Sequence, residues 1–161
     1  MNRMRWGWVL ACVVGTVACL VWIGCDSSTD TTDSDSTGTN GVPSTTAADL
    51  QSKTWTLASY GTIGSETAAL TGATVTAVFN NAGHVGGDAG CNSYGGSYAA
   101  NDSGTLTISS VVSTMMLCTS PAGIMTEENA FLNALDNATG FQIEGGTLHI
   151  LYGTGQQLNF N

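Results

Sequence analysis

Residues 87–98, GDAGCNSYGGSY, set one cysteine inside a run of glycines and small polar residues. Three readings compete, and each implies a different fold. A phosphate cradle needs its glycines between a strand and a helix, with a lysine or a helix N-terminus beside the anion. No lysine follows Gly96, and Ser97-Tyr98-Ala99 reads as strand, so that context is missing. A nucleophilic Cys91 needs a base, His84 or His149, and a group to orient it. His84 lies seven residues upstream with Asp88 nearby, no more than any two-histidine protein offers. The third reading is a bend around a disulfide, in which Gly87, Gly90, Gly95 and Gly96 supply bulges or positive φ.

The flanking sequence favours the bend. Period-two alternation marks Thr54-Trp55-Thr56-Leu57-Ala58, Thr74 to Phe79, Thr105 to Ile108, Phe141 to Ile143, Thr147 to Ile150 and Gln157 to Phe160. Such runs, separated by Asn80-Asn81-Ala82-Gly83 and Glu144-Gly145-Gly146, predict antiparallel strands joined by hairpins. One segment changes period. In residues 126–137, TEENAFLNALDN, the apolar Phe131, Leu132 and Leu135 recur at helical spacing. Thr126 is the expected N-cap, Glu127 and Glu128 suit the helix dipole, and Gly140 is the expected stop. The fold class is mainly β (α+β): a small antiparallel, strongly bent or barrel-like sheet with one packed helix.

The N-terminus predicts export. Arg3 and Arg5 precede an apolar run over residues 6–23, and Trp22-Ile23-Gly24-Cys25 is similar to a bacterial lipobox, cleaved before an acylated Cys25. The competing reading is an uncleaved transmembrane anchor. Residues 1–24 are thus read as a lipoprotein signal peptide. Residues 25–49 are read as the acylated cysteine and a disordered Ser/Thr/Asp-rich tether, too polar to offset its ordering entropy and reaching roughly 25–30 Å. Residues 50–161 form the folded domain. The expected address is the bacterial cell envelope, on the periplasmic or surface side, with the choice of membrane open.

From residue 26 onward, twelve acids face Lys53 alone, a net charge of −11. Nothing is available to neutralise phosphates, which excludes nucleic acid as a partner. Asp33-x-Asp35 echoes a calcium loop, but its twelfth position is Ser44 where a bidentate Glu is needed, so the linker reading is favoured. No cysteine or histidine pair has zinc spacing, and no metal or cofactor is expected. With Cys12 and Cys19 in the discarded peptide and Cys25 on lipid, Cys91 and Cys118 remain in an oxidising compartment. A disulfide is the economical pairing.

The ordered series Gly90-Cys91-Asn92-x-Tyr94, Thr114-x-Met116-x-Cys118 and Glu128-x-x-Phe131-x-x-x-Leu135 resembles the META-domain family, whose best-known bacterial relative is a heat-shock protein. The opening Trp55-x-Leu57 and the closing Leu158-x-Phe160 match as well. The resemblance spans residues 50–161 and implies a small barrel-like domain of envelope proteins, tied to stress response, with no established enzymatic activity. Its motif positions here are Trp55, Gly90, Cys91, Asn92, Tyr94, Thr114, Met116, Cys118 and Glu128, with structural roles preferred and no catalytic residue. Asn92 is read as bonding the backbone at the bend, and Met115 and Met116 as core filler in preference to a soft binding surface. Three functions stay open. The first is a non-enzymatic envelope module with membrane attachment through lipid and an envelope protein partner. The second is a barrel holding a small apolar ligand around Trp55, Phe79, Met116 or Phe131. The third is a thiol-based redox protein.

Overall fold

The computed structural model describes residues 45–161. Cys25, the signal peptide and most of the tether lie outside the described residues. Nine strands follow a short helix α1 (Ala47–Leu50): β1 (Trp55–Thr62), β2 (Ser65–Ala68), β3 (Thr76–Phe79), β4 (His84–Asp88), β5 (Ser93–Ala100), β6 (Leu106–Ser113), β7 (Ala138–Glu144), β8 (Thr147–Tyr152) and β9 (Gln156–Phe160). Helix α2 (Ile124–Asp136) connects β6 to β7. The sheet runs β6-β5-β4-β3-β1-β9-β8-β7, with β2 folded back on β1, and every pairing is antiparallel. A bridge between Thr105 and Gly140 brings β6 to β7, so the sheet nearly closes into a barrel.

Alternation in the sequence becomes inside and outside here. Trp55, Leu57, Ala77, Phe79, Leu148, Ile150, Leu158 and Phe160 point into one core with Leu106, Ile108 and Phe141, while their neighbours face solvent. Phe131, Ala134 and Leu135 of α2 join that core, with Leu132 half-buried at its margin. Trp55 and Phe79, considered for a ligand cavity, are instead packed core residues. The Trp55 indole N–H donates to the Leu50 carbonyl at 2.8 Å, fixing α1 beside it. Thr45 and Ala47 bond Asp102, so the fold takes in the last residues of the stretch read as tether.

The hairpins at Asn80–Gly83 and Gly145-Gly146 form as expected. The helix limits differ. Thr126 is not the cap: α2 starts at Ile124 behind Gly123, whose left-handed φ of 92° turns the chain so that Ile124 is buried. Its end is at Asn137, and Gly140 lies within β7. There a Cβ would come within 3.1 Å of the Gly104 carbonyl, so close approach of two strands, not helix termination, is that glycine's task. Strands β2 and β4 were not visible in the alternation, because SETA is largely polar and HVGGD has two adjacent glycines at its centre.

Candidate functional site

The glycine-rich stretch and the N-terminal half of α2 meet around Asn92. Gly90, at φ 102°, reverses the chain after β4, and the Ala89 N–H closes the turn on the Asn92 carbonyl at 2.7 Å. Among the four glycines expected to relax the backbone there, Gly90 alone takes positive φ. Gly87 serves close packing against Thr76, and the pairing of β5 with β6 shifts register between Gly95 and Ser97, with Gly96 inside the shift.

The side chain of Asn92 is only 2% exposed. Its Oδ1 accepts from the Met116 N–H at 2.6 Å and from the Thr114 hydroxyl at 2.8 Å. Its Nδ2 donates to the Met116 carbonyl at 3.0 Å and to Glu128 Oε1 at 2.8 Å. An amide has two lone pairs and two N–H groups, and all four are in use. The Asn92 backbone N–H then donates to Glu128 Oε2 at 2.8 Å. Glu128, 4% exposed, therefore has both oxygens hydrogen-bonded. Neither burial was apparent in the sequence, where Glu127 and Glu128 suit the helix dipole and Glu128 is a motif position. Glu127 Oε2 accepts from the Leu70 N–H at 2.8 Å, and its Oε1 is buried without a partner.

This clamp holds loop 114–118, which leaves the barrel after β6. The Thr114 N–H bonds the Ser93 carbonyl at 3.0 Å, and a disulfide joins Cys118 to Cys91, with Cα atoms 5.9 Å apart. The expected bridge is present, so Cys91 has no free thiol and its pairing with a histidine base falls away. His149 instead sits 2.6 Å from Asn159 Oδ1, and His84 is exposed at the start of β4. Among the described residues, no group of three or more His, Cys, Asp or Glu is placed to hold a metal ion.

The side chains of the loop point away from the clamp. Met115 is 98% exposed, Met116 60% and Leu117 82%. The reading of Met115 and Met116 as core filler is thus overturned. Because Asn92 takes both backbone groups of Met116 and the disulfide takes Cys118, the backbone is spent on anchoring and the apolar side chains are left outside. Beside the loop runs an open groove of about 310 Å³, lined by Thr114, Met116, Met125, Glu128 and Leu132 among others. Tyr94, next along β5, supports the site from below. Its hydroxyl donates to the Thr76 carbonyl at 2.9 Å, and its ring packs edge-on against Phe131. Burial, aided by the nearby Asp88 carboxylate, pushes its phenol well above the ordinary range.

Of the sequence motif, the structure brings Gly90, Cys91, Asn92, Thr114, Met116, Cys118 and Glu128 into this one cluster, with Tyr94 adjoining. Trp55 stands apart in its role, as a core residue bonded to α1. The META-domain profile matches residues 48–161, most of the chain. The chain belongs to the META-domain family. An NMR structure of a protein from Burkholderia xenovorans shares 30% identity with this META domain protein at a TM-score of 0.59, covering 80% of this chain and 94% of that one. A second NMR structure, 18% identical with a TM-score of 0.54, covers 71% of this chain and 92% of its own and shares the fold. No curated protein matches the chain.

Proposed function

We propose that this META domain protein is a lipid-anchored, non-enzymatic module of the bacterial cell envelope that binds a protein partner through loop 114–118. One observation carries the reading: three consecutive apolar side chains, Met115, Met116 and Leu117, stand in solvent on a backbone fixed by Asn92 and by the disulfide. Exposing such a patch is costly unless something covers it, and fixing it beforehand reduces the ordering cost of binding. The lipobox-like Cys25 and the polar stretch behind it supply the address.

The small-ligand reading keeps one specific support, the groove of about 310 Å³ beside Met116 and Leu132. That groove lies outside the barrel, while Trp55, Phe79 and Phe131 are buried in a common core. A protein surface laid over both loop and groove accounts for more of the exposed apolar area.

The test is photocrosslinking in intact cells with a photoreactive amino acid at Leu117, alongside one at exposed Glu144 as control. A discrete crosslinked partner at position 117 alone supports binding through the loop. Labelling that is equal at both positions overturns it. Intact mass of the membrane-extracted chain tests the anchor, which requires a mature N-terminus at an acylated Cys25.

A further inference from the structure

We propose that loop 114–118 is a substrate-like inhibitory loop, which blocks a serine endopeptidase with an apolar specificity pocket by presenting Met115 and the Met115–Met116 peptide bond to its active site. This inference rests on the binding-module reading and names the partner's chemical class.

Met115 projects furthest, at 98% exposure, and no hydrogen bond ties its own N–H or carbonyl to the described residues. Both backbone groups are thus free to pair with an enzyme cleft, as those of an extended substrate are. The residues on either side are clamped, and by the same side chain. Asn92 Oδ1 takes the Thr114 hydroxyl before the bond and the Met116 N–H after it, and Asn92 Nδ2 takes the Met116 carbonyl. Beyond these, Thr114 is tied to Ser93 and Cys118 is tied to Cys91. A flexible loop of this sequence would be a substrate. A clamped one is a poor substrate, because cutting it frees nothing.

The chemistry follows the bonds. The enzyme's serine gives its hydroxyl proton to the enzyme's own base as its oxygen adds to the Met115 carbonyl carbon, the C–N bond breaks, and the departing nitrogen takes up that proton to leave the Met116 amine. That amine stays within reach of the acyl carbon through Asn92, and the two chain segments stay covalently joined, since Cys91 precedes the cut and Cys118 follows it. Attack by the amine expels the serine and remakes the peptide bond at high effective concentration. Hydrolysis completes only when water attacks instead, giving a Met115 carboxylate.

The side chain fixes the kind of specificity pocket. Methionine is long, unbranched and apolar and suits a hydrophobic slot, whereas an enzyme selecting Lys or Arg finds neither in loop 114–118. Leu117, 82% exposed, supplies the next apolar contact.

The full chain in mild detergent, titrated against chymotrypsin and against subtilisin with a small chromogenic substrate, tests this. The expected result is inhibition of at least one enzyme at micromolar concentration or below. Met115→Ala should weaken it by about 10–100-fold, as expected for withdrawing a large apolar side chain from a pocket, while Met115→Leu retains it. Because Met115 is exposed, neither substitution threatens folding. Prolonged incubation should yield a chain that reduction separates between Met115 and Met116. No inhibition of either enzyme, inhibition unchanged in Met115→Ala, or rapid cleavage of the loop without inhibition would each overturn the inference. Should inhibition fail while crosslinking at Leu117 persists, the inhibitory loop is wrong and the binding module stands; failure of both removes both.

Discussion

Replacing Asn92 by alanine is the perturbation that bears hardest on this site. The substitution deletes four hydrogen bonds: two to the backbone of Met116, one from the Thr114 hydroxyl and one to Glu128. The three neutral bonds contribute about 0.5–1.5 kcal/mol each and the bond to the carboxylate about 1.5–3 kcal/mol. Water reaches the part-buried Thr114 and Met116 groups and replaces some of this, which places the expected loss near the lower end, at about 3 kcal/mol. That is a large share of the stability of a small domain. Urea unfolding followed by tryptophan fluorescence reads it, since a chain beginning at Asp26 carries Trp55 as its single tryptophan. Asn92→Asp sharpens the test. The shape is kept, but the donor becomes a carboxylate facing Glu128 Oε1 where the bond was 2.8 Å. This variant should be less stable than Asn92→Ala at neutral pH and should regain stability as acid protonates the introduced carboxyl. A loss below about 1 kcal/mol in Asn92→Ala, or an Asn92→Asp variant indifferent to acid, would refute the clamp.

Three further outcomes follow from the same geometry. Replacing both Cys91 and Cys118 by alanine opens a cross-link of sequence separation 27 and should cost about 3–4 kcal/mol in the same unfolding assay. Tyr94→Phe loses the bond to Thr76 and about 1 kcal/mol at neutral pH, yet it should flatten the alkaline limb. The sign is set by the raised phenol: the unfolded chain releases its proton from about pH 10 while the folded one retains it, so wild-type stability falls as pH rises above that value. Tyr60 and Tyr152, raised by burial as well, leave a residual slope in the variant. Gly87→Ala drives a Cβ into the Thr76 carbonyl oxygen and should cost about 1–3 kcal/mol, whereas a Cβ at Gly95 meets nothing nearer than 3.9 Å and Gly95→Ala should be well tolerated; melting temperatures of the two variants decide.

The strands with β-branched or aromatic residues in alternation were legible because burial on one face imposes that period; Thr147 to Ile150 and Gln157 to Phe160 are examples. The glycine-rich β4 and the polar β2 carry no such pattern, since their places are set by pairing with neighbours. Cysteine pairing was readable from arithmetic, and the motif named the residues of the site without their geometry. The roles of Glu127 and Glu128 were hidden because their partners, Leu70 and Asn92, are 57 and 36 residues away. Met115 and Met116 misled for a related reason. Apolar residues are normally buried, but three in succession on an irregular segment cannot all face one core, and here the backbone anchoring at Met116 turns them outward.

The central claim, an apolar loop held rigid before it meets a partner, is tested most directly by ¹⁵N relaxation of the backbone amides. Met115, Met116 and Leu117 should show order parameters near those of the strands, about 0.85, and should drop below about 0.6 when the disulfide is reduced or Asn92 is replaced. Values below about 0.6 in the intact, oxidised protein would contradict the account, since a mobile loop is neither preorganised nor protected.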